Sequence, residues 1–235
     1  MRLNPFPDLE QEFQNRHRGE RCVIMGNGPS LNRIDLARLR QETTFGLNKI
    51  FLLASGVLSG WSPSYYCVVN PLVMQQSVAE IAAMPSTRFI GHEGATLFSP
   101  GPSLRLFDSS RREPHFATTL NQPMWQGYTV TYCALQMAYG MGFSEVILVG
   151  VDHSYTFTGT PNKEMRAEGD DSNHFHPHYF HNGQPWNLPD LAMSEKAYAM
   201  AHHAFTQDGR TVRNATPGTQ LTVFPRVAFE DVFGK

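Results

Sequence analysis

The sequence predicts an α/β fold with a doubly wound, mostly parallel, Rossmann-like sheet and a long insertion or lid near residues 153–190. From residue 21 onward, short apolar runs alternate with segments of helical spacing, which is typical of a parallel sheet covered by helices on both faces. Right-handed crossovers are expected to connect the strands. A polar segment between His153 and Asp190 interrupts this alternation, and we interpret it as the insertion.

The first half of the chain alternates strands and helices at short intervals. A polar lead-in over residues 1–20 has room for a short helix. The apolar runs that follow have the length of buried strands; they are Cys22–Met25, Thr43–Leu47, Tyr65–Val69 and Thr87–Ile90. Helical spacing predicts helices between these strands at Leu31–Leu39 and Leu72–Met84, and an apolar segment lies around residues 50–58.

The second half begins with its least regular part. Gly91–Gln126 is rich in proline, glycine and serine, and we expect irregular structure with one or two short strands. Small and apolar residues recur every three or four positions in Thr129–Met141, which predicts a helix with one packed face. A buried strand at Glu145–Val149, a helix at Leu191–Thr206 and a last strand at Thr211–Asn214 complete the prediction.

Composition limits the classes of function. The chain has 235 residues, of which 41% are hydrophobic and 17% charged, and this predicts one globular domain over residues 21–235. A net charge of −2 gives no basic field for nucleic acid. Neither a signal peptide nor an apolar run long enough to insert in a membrane is recognisable. We expect a cytoplasmic protein with three buried free cysteines, and leave open peripheral contact with the inner membrane.

The turn Gly26-Asn27-Gly28-Pro29-Ser30 follows the first strand. Ligands of such folds bind outside the carboxyl ends of the strands. The two glycines permit close backbone approach, Pro29 suits a first helical turn, and main-chain amides at a helix start favour phosphate. We predict that all five residues contact a nucleotide, the alternative being a tight strand-to-helix turn.

Polar residues end three further strands. Asn48 and Asn70 follow the second and third strands, and Asp152 follows the strand Glu145–Val149. An amide side chain offers both donors and acceptors to a base or ribose, and Asp152 is a candidate for a ribose hydroxyl or a metal. Tyr155 is a candidate donor to a phosphate oxygen. The alternative for each is a turn or cap residue.

Four histidines lie close together in the polar segment, at His174, His176, His178 and His181. They are possible nitrogen ligands, but no cysteine or glutamate completes a zinc pattern, and we predict no metal site. Imidazole titrates near neutral pH, so one of them is a candidate acid–base catalyst under a flap that excludes water.

Several segments occur in an order that resembles two related families over most of residues 20–232. These segments are VIMGNGPSL, Asn48, VVNP, TVTYCALQMAYGMGFSEVILVGVDHSY and DDSNHFHPHYF. One family is the bacterial sialyltransferases of the Campylobacter type, which use a CMP-activated sugar. The other comprises uncharacterised bacterial proteins with a DUF115-type domain like archaeal 6-hydroxymethylpterin diphosphokinase, which the ending NATPGTQLTVFPRVAFEDVF resembles most.

The sialyltransferase resemblance implies roles for individual residues. The glycine turn, Asn48 and Asn70 would hold the nucleotide, and the helix start at Thr129 and Thr131 would face its phosphate or ribose. His174, in the stretch DDSNH, would deprotonate the acceptor hydroxyl, and Tyr155 would help to stabilise the leaving phosphate. This chemistry requires no metal cofactor.

The prediction is therefore a transferase, favoured as a glycosyltransferase that takes a nucleotide-sugar donor, with CMP as the leading nucleotide, and a glycan acceptor. Two alternatives stay open. A diphosphokinase acting on a pterin-like alcohol would need ATP and magnesium, with Asp152, Asp170 and Asp171 as candidate metal contacts. A non-catalytic nucleotide-binding protein would keep the turn without the chemistry. The sequence is compatible with a homo-oligomer.

Overall fold

A computed structural model describes residues 6–56, 58–156 and 159–234. Residues 1–5 of the predicted lead-in, residue 57 of the apolar segment and residues 157–158 of the predicted lid lie outside the described residues. The strands are β1 (Arg21–Met25), β2 (Thr44–Leu47), β3 (Tyr65–Val68), β4 (Thr87–Gly91), β5 (Leu104–Phe107), β6 (Glu145–Val149), β7 (Glu164–Arg166), β8 (Pro185–Asn187) and β9 (Thr211–Asn214).

Seven of these strands form one sheet in the order β5-β4-β3-β2-β1-β6-β9. Every neighbouring pair in it is parallel. The chain moves outward from β1 to β5 on one side and returns to the other side of β1 for β6. The predicted α/β fold with a parallel sheet is confirmed, and the strand order reverses between β1 and β6.

The helices are α1 (Leu9–Phe13), α2 (Pro71–Gln76), α3 (Val78–Ala83), α4 (Val130–Gly140), α5 (Leu191–Gln207) and α6 (Phe229–Phe233), with 3-10 segments at Pro29–Arg33, Leu36–Gln41, Ile50–Ser55 and His92–Thr96. The predicted helix Leu31–Leu39 is wrong. Ile34 is extended, and Asp35 caps a new segment by accepting from the main-chain N–H of Ala37. The predicted helix Leu72–Met84 is two helices, because Ser77 leaves helical geometry.

Helix α4 is buried on nearly all sides, so the prediction of one packed face was incomplete. Its inner side faces the core of the sheet, and residues 13–20 and 115–126 cover its outer side. The main-chain N–H of Asn15 donates to Gly140 O. The buried Gln136 side chain accepts from Ala117 N and donates to Trp125 O. A helix fully enclosed in this way lacks the polar face on which periodicity-based prediction depends.

The predicted lid packs onto the opposite face of the sheet from α4. Its hairpin β7–β8 was not predicted, since three-residue strands show no clear alternation. Phe175, Tyr179, Phe180 and Trp186 join a core cluster with residues of β1, β3 and β6. Cys22, Cys67 and Cys133 are buried free thiols, as predicted. In the described part of the chain, no helix has the length and hydropathy needed to cross a bilayer.

Candidate functional site

A cavity of about 800 Å³ opens at the carboxyl ends of the parallel strands. It lies where β1 and β6 meet, the point of strand-order reversal at which open α/β sheets bind ligands. Ten of the twelve predicted site residues line it: Gly26, Asn27, Gly28, Asn48, Asn70, Thr129, Thr131, Asp152, Tyr155 and His174. Pro29 and Ser30 are not among the lining residues. Strand-end reasoning therefore located the cavity for the glycine turn, Asn48, Asn70 and Asp152.

The main-chain amides of Gly28 and Ser30 in the glycine turn donate to residues that follow β6 and are not free in the cavity. Gly28 N–H donates to Gly150 O at 2.9 Å. Ser30 donates twice to Asp152, from its main-chain N to Oδ1 at 3.1 Å and from its hydroxyl to Oδ2 at 2.6 Å. A β-carbon at Gly28 would lie 1.9 Å from Asp152 Oδ2. The expectation that the amides of Gly28 and Ser30 are exposed for phosphate is wrong, because the protein's own acceptors occupy them.

Asp152 is thus an internal anion at the end of β6. Burial raises the pKa of its carboxyl group, and the hydrogen bonds from Ser30 oppose that rise. Its carboxylate is already engaged, which argues against its candidate role as a metal ligand. Its position fixes the turn against β6 and so shapes the floor of the cavity.

The three strand-end asparagines differ in what their side chains do. Asn27 Nδ2 donates to Leu47 O at 3.0 Å, which fixes the orientation of the amide and leaves Oδ1 buried without a partner. Asn48 Oδ1 is also buried without a partner among the described residues. Asn70 Oδ1 accepts from Leu72 N at 2.9 Å and caps α2, the structural alternative named above. Buried unpaired acceptors are rare and costly.

His174 forms a close pair with Asp171. Its Nδ1 lies 2.8 Å from Asp171 Oδ2, and both side chains are largely buried. Burial opposes ionisation of Asp171, but the hydrogen bond and charge of His174 outweigh it and hold the carboxyl pKa below its usual value. With Nδ1 donating to this carboxylate, Nε2 is the proton acceptor.

Aromatic rings hold the histidine in place. The His174 ring stacks on Tyr179 with centroids 3.8 Å apart and planes within 1°. The buried Lys49 ammonium donates to Tyr179 O at 2.8 Å and lies over the Phe180 ring. The Tyr155 ring meets His174 edge-on at 6.1 Å, and burial raises the pKa of Tyr155. Tyr155 therefore keeps its proton at neutral pH.

The start of α4 forms another part of the cavity. Thr129 caps this helix by accepting from Thr131 N–H, and its hydroxyl lies 3.3 Å from the hydroxyl of Tyr198 on α5. His153 lines the same region, with Nε2 3.2 Å from a carboxylate oxygen of Glu195. Burial lowers the pKa of His153, and Glu195 opposes that shift. Sequence reasoning missed His153 and Tyr198, although His153 adjoins Asp152.

A second group of missed residues follows β4 and β5. His92 comes directly after Gly91, and Ser109 lies two residues beyond Phe107, so the strand-end rule applied to both. Because Gly91–Gln126 was predicted to be irregular, the ends of β4 and β5 were not recognised and the rule was not applied to them. His92 and Ser109 line the cavity together with Glu93, Arg111 and Arg112. Trp125 and Gln126, from the same segment, and Tyr128 just beyond it were also missed.

The other histidines of the lid do not join His174. His178 and His181 are exposed and stack on each other with centroids 6.2 Å apart. Within residues 6–56, 58–156 and 159–234, no cluster of three or more histidine, cysteine, aspartate or glutamate side chains is placed to hold a metal ion. Asp170, a candidate magnesium contact of the alternative function, is exposed.

Comparison with solved structures gives a fold likeness. The chain superposes on the sialyltransferase CstII of Campylobacter jejuni in complex with the substrate analogue cytidine-5′-monophosphate, with a TM-score of 0.51, 14% identity and coverage of 90% of this chain and 86% of the other. Complexes of CST-II with a trisaccharide acceptor and CMP match at a TM-score of 0.48, 16% identity and coverage of 89% and 86%. The first likeness supports a shared fold.

No family model matches the chain, and no curated protein matches it either. The resemblance to the diphosphokinase-like family therefore stays a prediction.

Proposed function

We propose that the protein is a glycosyltransferase that uses a nucleotide-activated sugar, with a CMP-linked sugar as the first donor to test. The observation that carries this proposal is the Asp171–His174 pair beside a cavity at the β1–β6 junction. A histidine fixed in one tautomer by a carboxylate is suited to take a proton from an attacking hydroxyl.

In this proposal the donor nucleotide binds against β1 and β2. The side-chain oxygens of Asn27 and Asn48 are hydrogen-bond acceptors, and no residue that the structure describes donates to them. Ribose hydroxyls or the exocyclic amine of a base supply donors that would satisfy them. Cytosine carries such an amine, and the solved CstII structure holds cytidine-5′-monophosphate, which makes CMP the first nucleotide to test.

The reaction uses residues of the lid. A hydroxyl of the acceptor attacks the anomeric carbon, and its oxygen forms the new glycosidic bond while the bond from that carbon to the phosphate oxygen breaks. His174 Nε2 takes the hydroxyl proton. The phosphate leaves with the bonding electrons, and the neutral Tyr155 hydroxyl donates to it. Stabilising this developing charge is the largest catalytic contribution expected.

Calorimetric titration with CMP, CDP, UDP and ATP, each with and without magnesium, tests the donor. Metal-free binding of CMP, weakened by Asn27→Ala and Asn48→Ala, is the expected result. Strictly magnesium-dependent binding of ATP would instead favour the diphosphokinase. The absence of binding by any of the four nucleotides would contradict the placement at β1 and β2.

Substitution of histidine tests the chemistry. Once a donor that binds is known, His174→Ala should lower turnover by about 10²–10⁴-fold, the usual contribution of a general base. His178→Ala is the matched control, since His178 is exposed on the same lid and should keep full activity. Equal activity of the two variants would remove the assigned role of His174.

A further inference from the structure

A second polar cluster lines the cavity at the ends of β4 and β5, and the proposed chemistry does not use it. Glu93 is its centre: Oε1 accepts from Gln126 Nε2 at 2.8 Å, and Oε2 accepts from the Ser109 hydroxyl at 3.3 Å. His92 Nδ1 lies 3.0 Å from the same hydroxyl. The side chains of His92 and Glu93 are 35% and 29% exposed, so the cluster is ordered and still reachable from the cavity.

This cluster is not a nucleophilic triad. The hydroxyl of Ser109 and the carboxylate of Glu93 approach the same nitrogen, His92 Nδ1, at 3.0 and 3.1 Å. A triad needs the nucleophile on one ring nitrogen and the carboxylate on the other. His92 Nε2 has no partner among the described residues. The arrangement fits binding of hydroxyl groups, since a fixed carboxylate, amide and imidazole offer both acceptors and donors.

Two unpaired arginines adjoin this cluster. Arg111 and Arg112 are exposed, line the cavity and form no ion pair with any residue that the structure describes. The two carboxylates of the lining, Glu93 and Asp152, both accept hydrogen bonds from protein donors. The described cavity wall therefore holds two carboxylates that accept from neutral donors and two guanidinium groups without an ion-pair partner, and these guanidinium groups are the positions open to an anion. Guanidinium groups bind carboxylate and phosphate oxygens well.

An aromatic ring stands at the same place. Tyr128 is 46% exposed, and its φ of 62° lies in the left-handed region that an aromatic residue seldom adopts. Gly127 before it also has a positive φ, and its closely packed position fixes the turn. Observed strain of this kind is concentrated at functional sites. An exposed tyrosine suits the apolar face of a sugar ring.

We propose that His92, Glu93, Gln126, Arg111, Arg112 and Tyr128 form the acceptor subsite, and that the acceptor is a glycan carrying a carboxylate or phosphate group. The sugar ring lies against Tyr128, its hydroxyls bond to the Glu93 cluster, and its oxyanion pairs with the arginines. The role of this subsite as the acceptor site rests on the proposed function. The binding of an anionic glycan there does not depend on that function.

The test is direct binding without any nucleotide. Calorimetry uses a disaccharide that ends in glucose, the same disaccharide with a terminal glucuronic acid, and the same disaccharide phosphorylated at the terminal 6-hydroxyl. We expect at least one acidic form to bind about tenfold more tightly than the neutral form, the effect of one charge-assisted hydrogen bond. The stronger of the two acidic ligands identifies carboxylate or phosphate.

The double variant Arg111→Gln/Arg112→Gln should abolish the preference for the acidic disaccharides. Arg40→Gln is the matched control, because Arg40 is exposed and does not line the cavity. Tyr128→Ala should weaken all three ligands without changing the sedimentation coefficient of the protein. Equal binding of neutral and acidic forms, no binding of any form, or a Tyr128→Ala variant that loses an oligomer would overturn the proposal.

Failure of the two proposals can be distinguished. Binding of an acidic disaccharide without binding of any nucleotide contradicts the glycosyltransferase and keeps the anionic subsite. Binding of CMP together with equal affinity for neutral and acidic disaccharides supports the glycosyltransferase and contradicts the anionic subsite.

Discussion

Replacing Asp171 with asparagine tests the pair that carries the proposed function. The Asp171 side chain is 7% exposed; its Oδ2 lies 2.8 Å from His174 Nδ1, and its Oδ1 accepts from Asn173 N at 2.8 Å. Asparagine keeps the size of the side chain and an acceptor oxygen. The substitution therefore removes the negative charge and replaces one of the two acceptor oxygens by an amide donor, with little change in the size of the side chain.

The size of the effect follows from these bonds. A hydrogen bond to a charged group contributes about 1.5–3 kcal/mol and a neutral one about 1 kcal/mol, so we expect a loss of about 1 kcal/mol at neutral pH. The pKa of Asp171 is lowered from 3.8, because its bonds with His174 outweigh burial. The stabilisation is present above that ordinary value and disappears as the pH falls through the lower folded value.

Guanidinium denaturation in steps from about pH 7 to about pH 3 measures this dependence. The difference in unfolding free energy between wild type and Asp171→Asn should shrink as the solution becomes acidic. Asp170→Asn removes the same charge from the exposed neighbouring residue and should lose little at any pH. An equal loss in both variants, or a difference that does not change with pH, would refute the reasoning.

Three further substitutions test the framework of the cavity. Gly28→Ala places a β-carbon 1.9 Å from Asp152 Oδ2 and should lower the unfolding free energy by about 1–3 kcal/mol. Lys49→Met removes a buried ammonium group, and burial lowers the pKa of Lys49 from 10.5 to about 8. Between about pH 8 and 10.5 the unfolded chain holds this proton and the folded chain does not, so the unfolding free energy of the wild type should rise with pH relative to that of the variant. Gln136→Leu leaves two buried main-chain groups unpaired and should cost about 2 kcal/mol or more. Denaturant unfolding measures all three.

Each substitution has a matched control. Gly101→Ala meets no atom within 4 Å and should change stability by about 0.5 kcal/mol at most. Lys163→Met and Gln207→Leu change exposed residues. The Lys163→Met variant should show the same rise of unfolding free energy with pH as the wild type, and Gln207→Leu should leave the unfolding free energy nearly unchanged. A Gly28→Ala variant as stable as its control would contradict the contact with Asp152.

Strands such as Glu145–Val149 were predictable because burial on both faces leaves a continuous apolar run. Glu145–Val149 and Thr211–Asn214 match the observed strands to the residue. The prediction of a helix over Leu31–Leu39 was wrong, because the capping bond at Asp35 ends one segment and starts another. The spacing of the apolar residues does not reveal this break. Short hairpin strands in the lid gave no periodic signal.

The site was predictable in position but not in contacts. Strand ends converge at one edge of any parallel sheet, so Asn27, Asn48 and Asp152 could be placed at one cavity from the sequence, whereas His174 came from the family resemblance. The bond between Asp152 and Ser30 joins residues 122 positions apart, and no local pattern encodes it. The engagement of the Gly28 and Ser30 amides, which were expected to face phosphate, is therefore visible only in the folded chain.

The start of α4 forms a stiff side of the cavity because this helix is enclosed, and the lid forms another, less enclosed side. Ten of its eleven residues are buried, so a displacement of this helix would disturb packing on every side at once. The lid has many exposed residues and contacts the rest of the fold through a cluster of rings, the Lys49 ammonium and hydrogen bonds such as Phe175 N–H to Asn27 O. We therefore expect ligands of different size to be accommodated by the lid, and variants with altered ligand preference are best sought there.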